Sequence, residues 1–354
     1  MGEKSLSKGK YLRKIEFLFI IFISFSLYFL LKEEPRKEEA PKISEPETVP
    51  AQIEPEKPEI EEKVSVYFDR EVLEIVEKMI KSAGKTIDAA TYTYSKNEVT
   101  LLLEKRASEG VKVRLAAGKN KDKTLPALDF ALAKTDKGIY HPKFFVFDGR
   151  DVLILSANIS SSSDASNNAV LFRNVPEAAA ILKAEIDDVF AGVIGKRCTE
   201  GCSTEIGTII FNPGKGCVKV RDEFLAAKKS VKAAVYTVTQ KNPLITGLKK
   251  AVKSGIGVQL IIDNWRGDDG KIVNKKAANY LESIGVKLKY DEPENTDSHL
   301  FHHKFAEIDR ETVIIGSMNW TSSACYRNRE IVVISKDAAA ASSFAAYFDG
   351  FLKP

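Results

Sequence analysis

His141-Pro142-Lys143, four residues, Asp148, seven residues, Ser156-Ala157-Asn158: this stretch decides how the chain is read, because it occurs twice. The second copy runs His302-His303-Lys304, four residues, Asp309, seven residues, Ser317-Met318-Asn319, with no gap between the His and the Asn. The 354 residues hold only 4 histidines, and all of them (His141, His299, His302, His303) lie in or beside these two stretches. Histidine this scarce and this concentrated points to chemistry.

The spacing has a physical meaning. On a strand, His and Lys two positions apart face the same side. A hairpin at Asp148-Gly149 brings Ser and Asn back beside them. Each copy therefore offers an imidazole, an ammonium, a hydroxyl and an amide on one surface. His141, Lys143, His302 and Lys304 are the candidate catalytic residues. Ser156, Asn158, Ser317 and Asn319 can donate to phosphate oxygens. Asp148 and Asp309 fall in the hairpin turns and are expected to cap local structure. One neutral imidazole can attack phosphorus while the other, protonated, serves the leaving oxygen. The lysines supply the positive charge, so no metal or other cofactor is expected.

Working outward, the repeat extends beyond the motif. Ser65-Val66-Tyr67-Phe68 is echoed by Thr208-Ile209-Ile210-Phe211. Lys85 to Thr93 is echoed by Lys229 to Thr237, and Gly110 to Leu115 by Gly255 to Leu260. Strands at 64–68, 86–94, 111–115, 144–147, 152–155 and 168–172 alternate with helices at 71–83, 97–108 and 176–190. The second copy carries an extra helical piece at 274–283 and a polar loop at 291–298. Two copies of one unit, 63–195 and 206–354, predict an α/β fold: paired α-β-α sandwiches, each with a mixed, mostly buried sheet.

The connector at 196–205 contains Cys198 and Cys202; Cys217 and Cys325 follow. One bridge among Cys198, Cys202 and Cys217 is expected, with the connectivity open. Zinc would want tighter, repeated ligand spacing.

Ahead of the repeat, residues 1–14 are basic and residues 15–31 are mostly apolar, with Glu16 the one charge. No small-x-small cleavage pattern follows, which favours an uncleaved anchor over a signal peptide. Basic residues before the span and acidic ones after it put the N-terminus in the cytoplasm and the body outside a cell membrane, crossed once. Residues 32–62 hold 11 Glu, 5 Lys or Arg and 6 Pro, the composition of an extended linker and not of a packed domain. The chain carries a formal net charge of +4 despite that acidic stretch, so the body is basic. A basic body suits a polyanion without identifying one.

The doubled motif resembles the phospholipase D superfamily, marked by a repeated His-x-Lys-x4-Asp-x6-Gly-Ser-x-Asn. The second copy matches in full, with Gly316 and then Asn328-Arg329-Glu330. The first departs at Leu155, where Gly is usual, and at Ala169, which a gapless alignment sets opposite Glu330. The resemblance implies a pseudo-two-fold pair with one active site between the copies and a phosphohistidine intermediate. It implies that both motifs act within one chain, so no oligomer is required. It also implies that Glu330 is catalytic and holds His302 charged, while His141 lacks such a partner unless Asp164 substitutes. His141 is then the nucleophile and His302 the proton donor. The compact halves resemble the small nuclease-type members, so nucleic acid is the first expectation for the substrate. The alternatives are a phospholipase D or phosphatidyl transferase working on membrane phospholipid, and a nucleic-acid-binding protein whose first motif has decayed.

Overall fold

A computed structural model of the chain describes residues 62–124, 126–159, 165–267, 269–291 and 300–352. The anchor and nearly all of the linker expected at 15–31 and 32–62 therefore lie outside the described residues, as do Asp164 and His299. Among the described residues no helix is long and apolar enough to cross a membrane.

The repeat is explicit in the sheets. The first runs β1 (Val64–Phe68), β7 (Asn168–Phe172), β6 (Asp151–Leu155), β5 (Phe144–Phe147), β2 (Thr86–Tyr94), β3 (Lys112–Asn120), β4 (Asp129–Leu132). The second runs β12 (Lys287–Tyr290), β11 (Gly257–Ile262), β10 (Ser230–Val235), β13 (Lys304–Ile308), β14 (Thr312–Gly316), β15 (Glu330–Ser335), β9 (Gly207–Asn212), β8 (Cys202–Thr204). Read from opposite ends the two orders are the same, apart from β8 added at the second edge. In both, three parallel strands join an antiparallel set at the strand that lies beside the motif hairpin in the sheet, β2 or β10. The mixed α/β architecture is the one expected. The edge strands β4 and β12 were not anticipated. They are four residues each and carry little hydrophobic alternation.

The helices make the layers. α1 (Arg70–Ser82) turns Val72, Ile75, Val76, Met79 and Ile80 inward, and with α2 (Glu98–Ser108) covers the outer face of the first sheet. Asn97 starts α2 with a reciprocal cap, accepting from Thr100 N–H while its own N–H reaches Thr100 Oγ1. α4 (Gly216–Ala226), α5 (Pro243–Lys253) and α6 (Lys275–Ser283) cover the outer face of the second sheet. Between the sheets lie α3 (Pro176–Phe190) and α8 (Ala338–Gly350). Leu182 and Ile186 share one core there with Phe344, Phe348, Phe144 and Phe305. Burying both inner faces in a common core fixes the halves against each other, and the two hairpins meet at its edge.

All four cysteines are bridged, as Cys198–Cys202 and Cys217–Cys325. The first falls within the expected trio. The second was not foreseen, because it links residues 108 apart. It ties the start of α4 to the short helix α7 (Ser322–Tyr326) that follows the second Ser-x-Asn.

Candidate active site

Each motif hairpin is locked from outside before its candidate catalytic side chains are placed. Asp148 turns with φ 52° and accepts the backbone N–H groups of Gly84, Lys85 and Thr86 at 2.9, 2.7 and 2.9 Å. Asp309 does the same for Lys228, Lys229 and Ser230 at 2.7, 2.7 and 2.9 Å. Partial burial opposes their ionisation, but the three N–H donors outweigh it and hold both carboxyls below the usual range. They anchor the hairpins to β2 and β10, the capping role expected of them.

The site itself is built by exchange between the halves. Tyr140 bridges Arg329 and Ser166 bridges Phe301, each in parallel. His141 N–H donates to Arg329 O and His302 N–H donates to Ser166 O, both at 2.8 Å. Each histidine is thus held by backbone from the opposite half, and its ring follows. His141 Nδ1 lies 2.7 Å from Glu330 Oε2. His302 Nδ1 lies 3.1 Å from Asn167 Oδ1.

This corrects the expected partnership. Glu330 holds His141 and not His302. Ala169 is not the counterpart of Glu330 either; Asn167 is. Ser317 Oγ donates to Glu330 Oε2 at 2.5 Å and accepts from Ile331 N–H at 3.0 Å. Ser156 Oγ donates to Asn167 Oδ1 at 2.9 Å and accepts from Asn168 N–H at 3.0 Å. The loop between the serine and its partner is two residues shorter in the first half, so a gapless alignment slips at this point. Both motif serines therefore position the histidine partners.

The lysines are equally fixed. Lys143 Nζ donates to His141 O at 3.0 Å and Lys304 Nζ to His302 O at 2.9 Å. Both side chains are buried. Lys304 also sits 5.3 Å above the ring of Tyr236. Asn158 and Asn319 are half-buried, and Asn319 Oδ1 has no hydrogen-bond partner among the described residues.

Burial dominates the electrostatics. It pulls His141 down to about 4, with Glu330 opposing and Lys143 assisting. It pulls Lys143 down to about 7 against Glu330. His302 lies well below its ordinary value, through burial and then through Lys304, Lys143 and His141. Lys304 is depressed by burial and by Lys143. The expectation that a carboxylate keeps His302 charged therefore fails. Its partner is a neutral amide whose Nδ2 already donates to Ala165 O, so Oδ1 must accept and His302 Nδ1 must carry the proton. With both Nδ1 atoms engaged, each ring keeps Nε2 for an incoming group.

Several site residues were not picked out from the sequence. Tyr92 lies 5.3 Å from His141 and Tyr236 lies 5.0 Å from His302, ring centre to ring centre. They occupy matching places in the echoed strands, and that symmetry was the available signal. Asn168 Oδ1 accepts Lys304 N–H at 3.0 Å. His303 is structural, with Nε2 2.9 Å from Tyr347 Oη inside an aromatic cluster. Trp320 is buried in the second core and offers no stacking face. Leu155 replaces glycine without damage. At Gly316, φ is 138° and a Cβ would lie 2.2 Å from Ile331 O, whereas Leu155 is in an ordinary strand paired with Ala169. Among the described residues no group of three or more His, Cys, Asp or Glu could hold a metal.

The family described as "Cardiolipin synthase, PLD-like domain" matches residues 76–190 and 220–352. The chain is 26% identical over 163 residues to a mitochondrial cardiolipin hydrolase of Canis lupus familiaris, spanning 43% of this chain and 61% of that one. It is 30% identical over 129 residues to the mitochondrial cardiolipin hydrolase of Xenopus tropicalis, spanning 35% and 55%. It is 29% identical over 138 residues to a phospholipase D of Rickettsia bellii, spanning 38% and 63%. The chain thus spans little more than half the length of these relatives. In architecture it is similar to the phosphatidylserine synthase of Haemophilus influenzae, with a TM-score of 0.64 over 81% of this chain and 85% of that one, at 13% identity. That likeness concerns the fold alone.

Proposed function

The chain belongs to the phospholipase D-like family, and on that premise we propose that it is a phosphodiesterase that cleaves membrane phospholipids through a phosphohistidine on His141. The observation that carries this reading is the exchange of partners: two imidazoles, each held at Nδ1 by the other half, with two buried lysines beside them. His141 Nε2 attacks phosphorus, a P–N bond forms, and the bond to the leaving oxygen breaks. Glu330 accepts a hydrogen bond from the Nδ1–H of His141, which keeps its proton, and stabilises the positive charge the ring gains on phosphorylation. Nucleophilic attack thus remains with His141, but the carboxylate assists the nucleophile and not the acid. The negative phosphodiester, bound between Lys143 and Lys304, raises the proton affinity of His302, which then protonates the leaving oxygen at Nε2. In the second step water attacks phosphorus, His302 takes its proton, and the P–N bond breaks.

The phospholipid substrate is supported by the family described for cardiolipin synthase and by relatives named cardiolipin hydrolase and phospholipase D. It agrees with a body held at a bilayer by residues 15–31, with the N-terminus cytoplasmic and the body outside. The nuclease expectation becomes the alternative outcome of one experiment. The purified chain, in EDTA, is given phospholipid vesicles, single-stranded DNA, duplex DNA and RNA, with His141→Ala and His302→Ala as controls. Head-group release that needs both histidines is expected. Nucleic-acid cleavage without head-group release would overturn the lipid reading. Loss of all activity in EDTA would overturn the metal-free mechanism.

A further inference from the structure

Beside the catalytic pair, but on the other face of the segment that carries Glu330, lies a cavity of about 830 Å³. Along residues 327–330 the side chains divide. Asn328 Nδ2 donates to Glu330 Oε1 at 3.1 Å on the catalytic side, while Arg327 and Arg329 line the cavity. Lys134, Lys137 and Lys196 complete a basic wall with Arg327. Among the described residues none of these four cations has an ion-pair partner. Two carboxylates, Asp136 and Glu200, share the lining, so cations outnumber anions four to two; Arg329 is neutralised by Glu185. Both disulfides stiffen the rim, Cys198–Cys202 around Thr199 and Glu200, and Cys217–Cys325 next to Tyr326.

We propose that this cavity is a second phosphate site that seats the headgroup of an anionic phospholipid and docks the body on a bilayer. A planar guanidinium with flexible ammonium groups is the donor set that phosphate oxygens take. A headgroup fits better than a nucleic-acid strand because the rim is apolar as well as basic. Tyr326 is 58% exposed and Val193 56% exposed at the cavity, and Leu132 and Phe190 are exposed on the elements that lead into it. Val193 and Leu132 give a base nothing to stack on, and the rings of Tyr326 and Phe190 among aliphatic side chains and cations suit the bilayer interface. A headgroup on Arg327 would also brace the segment that aims Glu330 at His141. Only that link to turnover rests on the phospholipase reading.

The test titrates the full chain, held in neutral detergent, with dihexanoyl-phosphatidylglycerol, dihexanoyl-phosphatidylcholine, inorganic phosphate and a short single-stranded DNA, reading affinity by calorimetry. Phosphatidylglycerol is expected to bind most tightly. Lys137→Glu with Arg327→Glu is expected to weaken it at least about ten-fold, and Asp136→Asn, which removes a negative charge from the lining, to tighten it. The Asp136 variant guards against misfolding of the reversal pair. Unchanged phosphatidylglycerol affinity in both variants overturns the proposal, as does equal binding of inorganic phosphate or tighter binding of DNA. A wild-type chain that shows this affinity pattern yet releases no headgroup defeats the phospholipase reading and leaves the docking site standing. Head-group release with no change of affinity in the variants does the reverse.

Discussion

Glu185 and Arg329 form an ion pair across the two halves with both side chains buried: Nε donates to Oε1 at 2.9 Å and Nη2 to Oε2 at 2.5 Å. The guanidinium also lies 4.6 Å from the ring centre of Phe211. Burial pushes Glu185 above its ordinary value even with its partner in place. Arg329→Met should therefore cost about 3–5 kcal/mol, because it strands a buried carboxyl. That carboxyl must lose its proton as pH rises, so the deficit should be smaller in acid and grow toward neutrality. Adding Glu185→Leu should recover most of the loss. Urea midpoints at two pH values, for the single and double variants, check this.

The pH dependence of kcat/KM should carry limbs near 4 and near 7 beside that of His302, which must hold a proton and in the free enzyme lies well below its ordinary value. Below the acid limb His141 is protonated and Nε2 cannot attack, so the rate falls as pH falls through about 4. Above the alkaline limb Lys143 loses its charge, so the rate falls as pH rises through about 7. Lys143→Arg keeps a cation at all these pH values and should abolish the limb near 7. An unaltered limb in that variant would show that another group titrates there.

Asn167 should set the proton affinity of His302. Asn167→Asp replaces the neutral acceptor with a carboxylate at the same 3.1 Å contact, which raises His302 and should move the optimum of kcat to higher pH. Asn167→Ala should lower kcat about 10–100-fold with little change in KM. Identical pH profiles in wild type and Asn167→Asp would remove Asn167 from any role through His302.

The two bridges should differ in weight. Cys217–Cys325 closes a loop of 108 residues, and Cys198–Cys202 one of 4. On the loop-entropy account the long one stabilises by about 5 kcal/mol and the short one by about 2 kcal/mol. Paired alanine variants at each bridge, compared by calorimetric melting, should keep that order.

The sequence was legible where structure repeats locally and opaque where it depends on contact between the copies. The His-x-Lys spacing and the echo of Lys85–Thr93 in Lys229–Thr237 follow from strand periodicity, and the central strands of both sheets could be drawn from them, but not the four-residue edge strands β4 and β12. The partner of Glu330 could not. It is set by how two hairpins face each other, and a two-residue difference in loop length hid Asn167 behind Ala169. The bridge from Cys217 to Cys325 and the buried pair of Glu185 with Arg329 are long-range for the same reason. Asp148 and Asp309 were read as turn residues because their position after a strand leaves little else for them to do.

The crossing of Glu330 to His141 and of Asn167 to His302 makes each copy dependent on the other for its chemistry. Neither copy is an enzyme in miniature. Produced as separate polypeptides, the two would be inert alone, and activity would return only on reassociation, with a concentration dependence that the intact chain does not have. Covalent linkage between the copies thus acts as a fixed effective concentration, holding at unit stoichiometry a reaction centre that belongs to neither.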